Sequence, residues 1–121
     1  MANTFKTISF AAEPNSSGTP YVIYTVASST TTVILGLRLT NLHTTSITTE
    51  VELVSDTANR GGANNVANGT AFLAKDVVIP AKSSLEILAG SKIVMETTDV
   101  LKIDCSVADK VSGTLSVMEI T

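Results

Sequence analysis

The chain is poor in the residues from which most sites are built. Of its 121 residues one is cysteine, one is histidine and none is tryptophan. A lone Cys105 excludes an intramolecular disulfide. One His and one Cys cannot assemble a zinc site of the usual Cys and His types. Aromatics make up 4% of the chain and charged residues 16%. The eight Lys and Arg residues are scattered singly, the net charge is −3 and the isoelectric point is near 4.9. A nucleic-acid binder needs clustered cations to neutralise phosphates, so no direct nucleic-acid contact is expected. The opening "MANTFKTISFAAEP" has too short an apolar run for a secretory signal. The uncharged run between Glu13 and Arg38 is too rich in Ser, Thr, Gly and Pro to span a membrane. The expectation is a soluble protein made in a cytoplasm.

What is present is aliphatic and β-branched. Hydrophobic residues reach 44%, mostly Val, Ile, Leu and Ala, beside abundant Thr and Ser. Branching at Cβ restricts χ1 and suits a pleated strand. In "TTVILGLRLTNL", Thr31 to Leu42, Val33, Leu35, Leu37 and Leu39 share one parity, with Ile34, Gly36, Arg38 and Thr40 between them. Period two is the mark of a half-buried strand, and a glycine inside it suggests a bulge or a close backbone approach. "SITTEVELVS", Ser46 to Ser55, repeats the pattern, with Ile47, Val51 and Leu53 opposite Thr48, Glu50 and Glu52. The short link "HTT" predicts that these two strands form an antiparallel hairpin, with Arg38 able to pair with Glu50 or Glu52 across it.

Further strands are expected in "TFKTISF", "YVIYTV", "AFLAKDVVI", "SLEIL", "KIVM", "LKIDCSV" and "TLSVMEI". In "LKIDCSV" the residues Leu101, Ile103, Cys105 and Val107 point inward. In the last strand Leu115 and Val117 lie on one face, Met118 and Ile120 on the other. A strand apolar on both faces is covered on both or meets a neighbour. Turn chemistry in "EPNSSGTP", "PAKSS", "AGS" and "ETTDV" separates them. Eight or nine short strands without a helix predict an all-β fold, an antiparallel two-sheet sandwich of jelly-roll or immunoglobulin-like type. Residues 1–121 are expected to form one domain, with 1–12 as an N-terminal strand or arm. The low charge points to surface covered by neighbouring subunits, and so to a homo-oligomer.

No constellation carries a reaction. His43, in "NLHTT", reads as a turn residue, and there is no G-x-S-x-G elbow. Glu50 and Glu52 read as a solvated sheet face rather than a paired acid. Asp99 and Asp104 flank a strand start. "DTANRG", with Asp56 and Asn59, departs from the calcium-loop pattern at Ala58 and Arg60. Gly61-Gly62 lacks the Gly-Lys-Ser/Thr of a phosphate loop. "NSS" at Asn15 and "NGT" at Asn68 fit glycosylation acceptors but read as turns. No catalytic residue, cofactor or metal is expected. The long polar stretch "SDTANRGGANNVANGT", Ser55 to Thr70, is the candidate partner-contact loop, through Asn59, Arg60, Gly61, Gly62, Asn64, Asn65 and Asn68.

The series "YTVASSTTTVILGLRLTNL", "VELVSD", "AKDVVIPAKSSLEILAGSKIVMETTDVLKIDCSV" and "SGTLSVMEI" resembles the small β-sandwich virion proteins of tailed bacteriophages, which commonly open on a "MANTFK"-like stretch. The similarity spans nearly the full length. "TANRGGANNVANGTA" departs from it as a longer loop. The resemblance implies a non-enzymatic structural protein of the virion, either a capsid decoration or cement protein or a part of the neck or tail. Its partners would be major capsid or neck and tail proteins. The alternative it leaves is a receptor- or glycan-binding module of a tail fibre or tail tip. Tyr21 and Tyr24 are then the tyrosines on which a sugar could stack.

Overall fold

A computed structural model describes residues 2–55, 69–88 and 92–121. The described residues form nine strands: β1 (Asn3–Glu13), β2 (Tyr21–Thr25), β3 (Thr31–Asn41), β4 (Ile47–Ser55), β5 (Gly69–Ile79), β6 (Ser84–Glu86), β7 (Ile93–Met95), β8 (Val100–Cys105) and β9 (Val111–Ile120). All pairings are antiparallel. One sheet runs β1-β9-β3-β6, with β7 beside β6 on the same edge of β3; the other runs β2-β8-β4-β5. This order is that of a jelly roll. The immunoglobulin-like alternative is thereby set aside.

Of the consecutive strands, only β4 and β5 pair directly. The expected hairpin of the third and fourth strands is therefore corrected. β3 lies between β9 and β6 in one sheet, and β4 lies between β8 and β5 in the other. The link between them is an arch, not a turn within a sheet. Asn41 holds that arch. Its buried amide donates to the carbonyls of Thr45 (3.0 Å), Ile79 (3.0 Å) and Pro80 (3.1 Å), and its Oδ1 accepts from the His43 amide at 2.7 Å. The predicted Arg38 partner changes with the pairing. Arg38 faces Glu86 of β6 at 2.9 Å, while Glu50 takes Lys75 of β5 at 2.7 Å.

The inward parity of β3 also differs from the pattern read off the sequence. Thr32 and Ile34 are buried in its first half, and Leu37, Leu39 and Asn41 in its second. The register against β9 shifts between Ile34 and Gly36. A residue inserted on one strand flips the faces beyond it. Gly36 thus marks a bulge, as expected, and the bulge turns Val33 away from the core. β8 keeps its expected alternation, with Leu101, Ile103 and Cys105 buried.

The core fills the space between the sheets. Phe10, Ile34, Leu37, Leu39, Met95, Leu115 and Val117 enter from one side, and Ile23, Ile47, Val51, Ile79, Leu101 and Ile103 from the other. Buried hydroxyls in this apolar layer are paired, since an unpaired one is costly. Thr49 Oγ1 donates to the Val77 carbonyl at 3.3 Å.

One end of the layer is closed by a polar link between sheets. Lys6 of β1 reaches Glu119 of β9 at 2.9 Å. The hydroxyl of Tyr24, from β2 in the opposite sheet, donates to the same carboxylate and contacts Thr32 Oγ1 at 2.9 Å. Burial, and then the Glu119 carboxylate, push the Tyr24 phenol up to about 12. Hydrogen bonds from Tyr24 and Lys6 hold the Glu119 carboxyl below its usual range. A raised phenol adds stability that is complete below its ordinary value of about 10 and is lost as pH rises toward about 12. Tyr24→Phe should cost about 1 kcal/mol at neutral pH and should flatten the alkaline loss. Thermal melts of both proteins at steps from pH 9 to 12 check this. A parallel decline in the two would remove Tyr24 from the alkaline transition.

Candidate functional site

The residues singled out for chemistry are occupied structurally. Cys105 is buried, and burial pushes its thiol pKa up, away from the reactive thiolate. His43 sits in the arch after Asn41, with Nδ1 accepting from the Thr44 amide at 2.9 Å. Glu50 and Glu52 share the outer face of the second sheet. Glu50 is engaged by Lys75, and Glu52 stands opposite Lys102. Asp99 is buried and accepts from the Glu96 amide at 2.9 Å. Asp104 Oδ1 accepts from the amides of Gly18 (3.2 Å) and Cys105 (2.8 Å). Among the described residues, no group of three or more His, Cys, Asp or Glu side chains is placed to hold a metal.

Neither tyrosine offers an open ring. Tyr21 is half-buried with its ring centroid 5.4 Å from that of Phe10, and Tyr24 is tied to Glu119 and Thr32. The candidate loop of Asn59, Arg60, Gly61, Gly62, Asn64, Asn65 and Asn68 lies outside the described residues, as does Asp56. Its flanks, Ser55 and Gly69, are paired across β4 and β5.

The two outer faces differ in kind. Cross-strand partners in a sheet point to the same side, so the registers spell out each face row by row. On the second sheet one row reads Val22, Lys102, Glu52, Phe72 across β2, β8, β4 and β5. Glu50, Asp104 and Lys75 lie nearby, and the Lys75 ammonium sits 4.5 Å over the Phe72 ring. This is a charged, solvated face with its apolar residues separated.

On the first sheet the matching row reads Phe5, Met118, Val33, Val94 across β1, β9, β3 and β7. No polar residue interrupts it. Phe5 is 72% exposed and Val94 59%. Ile120 adds an apolar side chain one row outward, beside Asn3 and Thr31. In the other direction come Thr7 and Ser116, then Ser9 and Thr114. The ion pair there is Arg38 with Glu86. The two-faced apolar pattern of the last strand signalled this surface, through Met118 and Ile120. Phe5, Val33 and Val94 were not legible as its neighbours, because their alignment depends on pairings between distant strands.

No protein-family model matches the chain, and no curated protein matches it by sequence. Among solved structures it is similar to a chain of Bacillus endospore appendages, described as a family of disulfide-linked pili. There the TM-score is 0.49 at 17% identity, over 99% of this chain and 87% of that one. It is also similar to a chain in the structure of infectious bursal disease virus, Gx strain. That match has a TM-score of 0.52 and 17% identity over 98% of this chain and 33% of the viral one. The chain thus spans about a third of the viral chain and shares its fold.

Proposed function

We propose that this is a non-enzymatic structural protein of a tailed-phage virion that docks on the capsid or neck through the outer face of its first sheet. The observation that carries the reading is the unbroken row Phe5, Met118, Val33, Val94, on a face that among the described residues carries hydroxyls and the Arg38–Glu86 ion pair. A surface of this kind gains free energy when covered, at about 25 cal/mol per Å² of apolar area, and loses little to desolvation of charge. The chain's resemblance to phage virion proteins, a jelly-roll frame and low overall charge support the same reading. Adding buried area between capsid or neck subunits stabilises a particle by mass action.

The test places a charge on the row at its far end. Val94 is exposed on the edge strand β7, so Val94→Lys should leave the melting temperature within a few degrees. Incorporation into particles assembled with this variant should fall at least tenfold, measured as copies per purified virion. Normal copy number with Val94→Lys would sink the docking face. Absence of the wild-type protein from purified virions would sink the virion assignment itself.

A further inference from the structure

A sandwich has edges as well as faces, and three of its edge positions are blunted. β2 is five residues long, follows Pro20 and shifts register between Val22 and Tyr24. β5 carries two register shifts, a left-handed Asp76 at φ 52° and the charged Lys75. β6 and β7 are three residues each and are offset from one another along β3. Short edges, bulges, prolines and charges are the devices that prevent a sheet from pairing with another chain.

β1 is different. From Asn3 to Phe10 it keeps continuous register with β9, without a bulge or proline. Its one charge there, Lys6, is held by Glu119. The backbone bonds show which groups are left over. Ala2 and Thr121 exchange both of their N–H···O=C bonds, at 3.2 and 3.0 Å. Bonded pairs alternate along an antiparallel ladder. Thr4, Lys6, Ile8 and Phe10 therefore bond inward to β9, and the N–H and C=O groups of Asn3, Phe5, Thr7 and Ser9 point away from the sheet. The side chains of those same four residues lie on the outer face.

We infer that this edge pairs antiparallel with β1 of a second copy, about a two-fold axis normal to the sheet. The inference deepens the assembly reading above by naming a partner, and it rests on that reading only for its biological setting. The occupant follows from charge. Asn3, Phe5, Thr7 and Ser9 carry none, so strand against identical strand creates no like-charge contact on the outer face. An edge fitted to a foreign strand has no such need to be neutral. Such an axis keeps both outer faces on the same side. With Phe5 opposite its own symmetry mate, the two rows of Phe5, Met118, Val33 and Val94 join into one band, and Lys6 falls opposite Thr4 rather than its own copy. Two first sheets then make one continuous sheet, with the docking face doubled.

Thr7→Pro tests it. The Thr7 amide points away from β9 and has no partner among the described residues, so proline removes no ladder hydrogen bond and is tolerated at an edge. It deletes a donor that the second copy needs. Sedimentation equilibrium of the purified full chain at tens of micromolar should show a dimer for the wild type. It should show a monomer for Thr7→Pro with an unchanged circular-dichroism spectrum. Phe5→Lys, which brings like charges together at the seam, should also yield a folded monomer. A wild-type monomer or trimer overturns the inference, and so does a dimer that survives both substitutions. Copies per virion, counted separately for the wild type, report on the virion reading whatever the oligomeric state.

Discussion

Asn41→Asp should destabilise the protein by about 3–5 kcal/mol near pH 7, the range for a buried charge left without a partner. The change is nearly isosteric, so packing is not at issue. The side chain is fully buried, and its amide nitrogen lies 3.0–3.1 Å from three carbonyl oxygens. A carboxylate there turns a donor into a charged acceptor facing three acceptors. The acceptor role toward the His43 amide, at 2.7 Å, would survive. The sign of the pH dependence follows. The new carboxyl has a folded pKa raised above its ordinary value of about 3.9, since only the protonated form can donate. Its favourable contribution is complete below about 3.9 and is lost as pH rises through the raised value. The variant should therefore come closer to the wild type at pH 4 than at pH 7. Chemical denaturation at both pH values measures it. An equal deficit at the two would show that shape, not donation, is what Asn41 supplies. The loss is a large part of the 5–15 kcal/mol typical of a domain. The arch from β3 to β4 and the exit from β5 share this one amide, so both sheets feel the change.

Gly113→Ala should cost about 2–3 kcal/mol, the upper part of the range for forcing extra volume into a packed core. A Cβ at this position would lie 2.3 Å from Phe10 Cζ, 2.6 Å from Cε1 and 3.1 Å from the Arg38 carbonyl oxygen. The Phe10 ring packs against Gly113, its partner across β1 and β9. It also contacts the Tyr21 ring, centroid to centroid at 5.4 Å, and is itself buried. To admit a methyl group the ring must swing off the strand and expose apolar surface. Glycine in a strand interior is unfavourable by itself; here it gives an aromatic ring a floor. A double-mutant cycle isolates the contact. Combining Gly113→Ala with Phe10→Leu should cost less than the sum of the two single changes by at least about 1 kcal/mol. Strict additivity would place the cost of Gly113→Ala elsewhere, at the Arg38 carbonyl.

These two positions show what a local reading could reach. Gly113 stood in plain sight between "VS" and "TLSV", but nothing nearby names its partner Phe10, far back in the chain. Asn41 resembled an ordinary turn asparagine before "LHTT". Its role needs Ile79 and Pro80, which the chain reaches only after β5. The hairpin expected around it failed for the same reason. A short link between two alternating segments fits a turn within one sheet or an arch between two, and only the far partners of each strand decide. At Gly36 the glycine signalled a bulge, yet not the switch of face that moved Val33 outward and buried Ile34 in its place.

By itself the sequence determined the all-β class, a strand count of eight or nine, and the inward residues of β4 and β8. Side-chain alternation, β-branching and turn chemistry act between neighbours, so they can be read along the chain. Only the tertiary structure decided the jelly-roll order, the ion pairs of Arg38 and Glu50, the polar link through Tyr24 and Glu119, the unblunted edge of β1 and the row from Phe5 to Val94. Each of these is a register between strands far apart in the chain. Hydrogen bonding across a ladder is the same for any residue pair, so the choice among registers falls to the burial of the whole core, which no short segment carries.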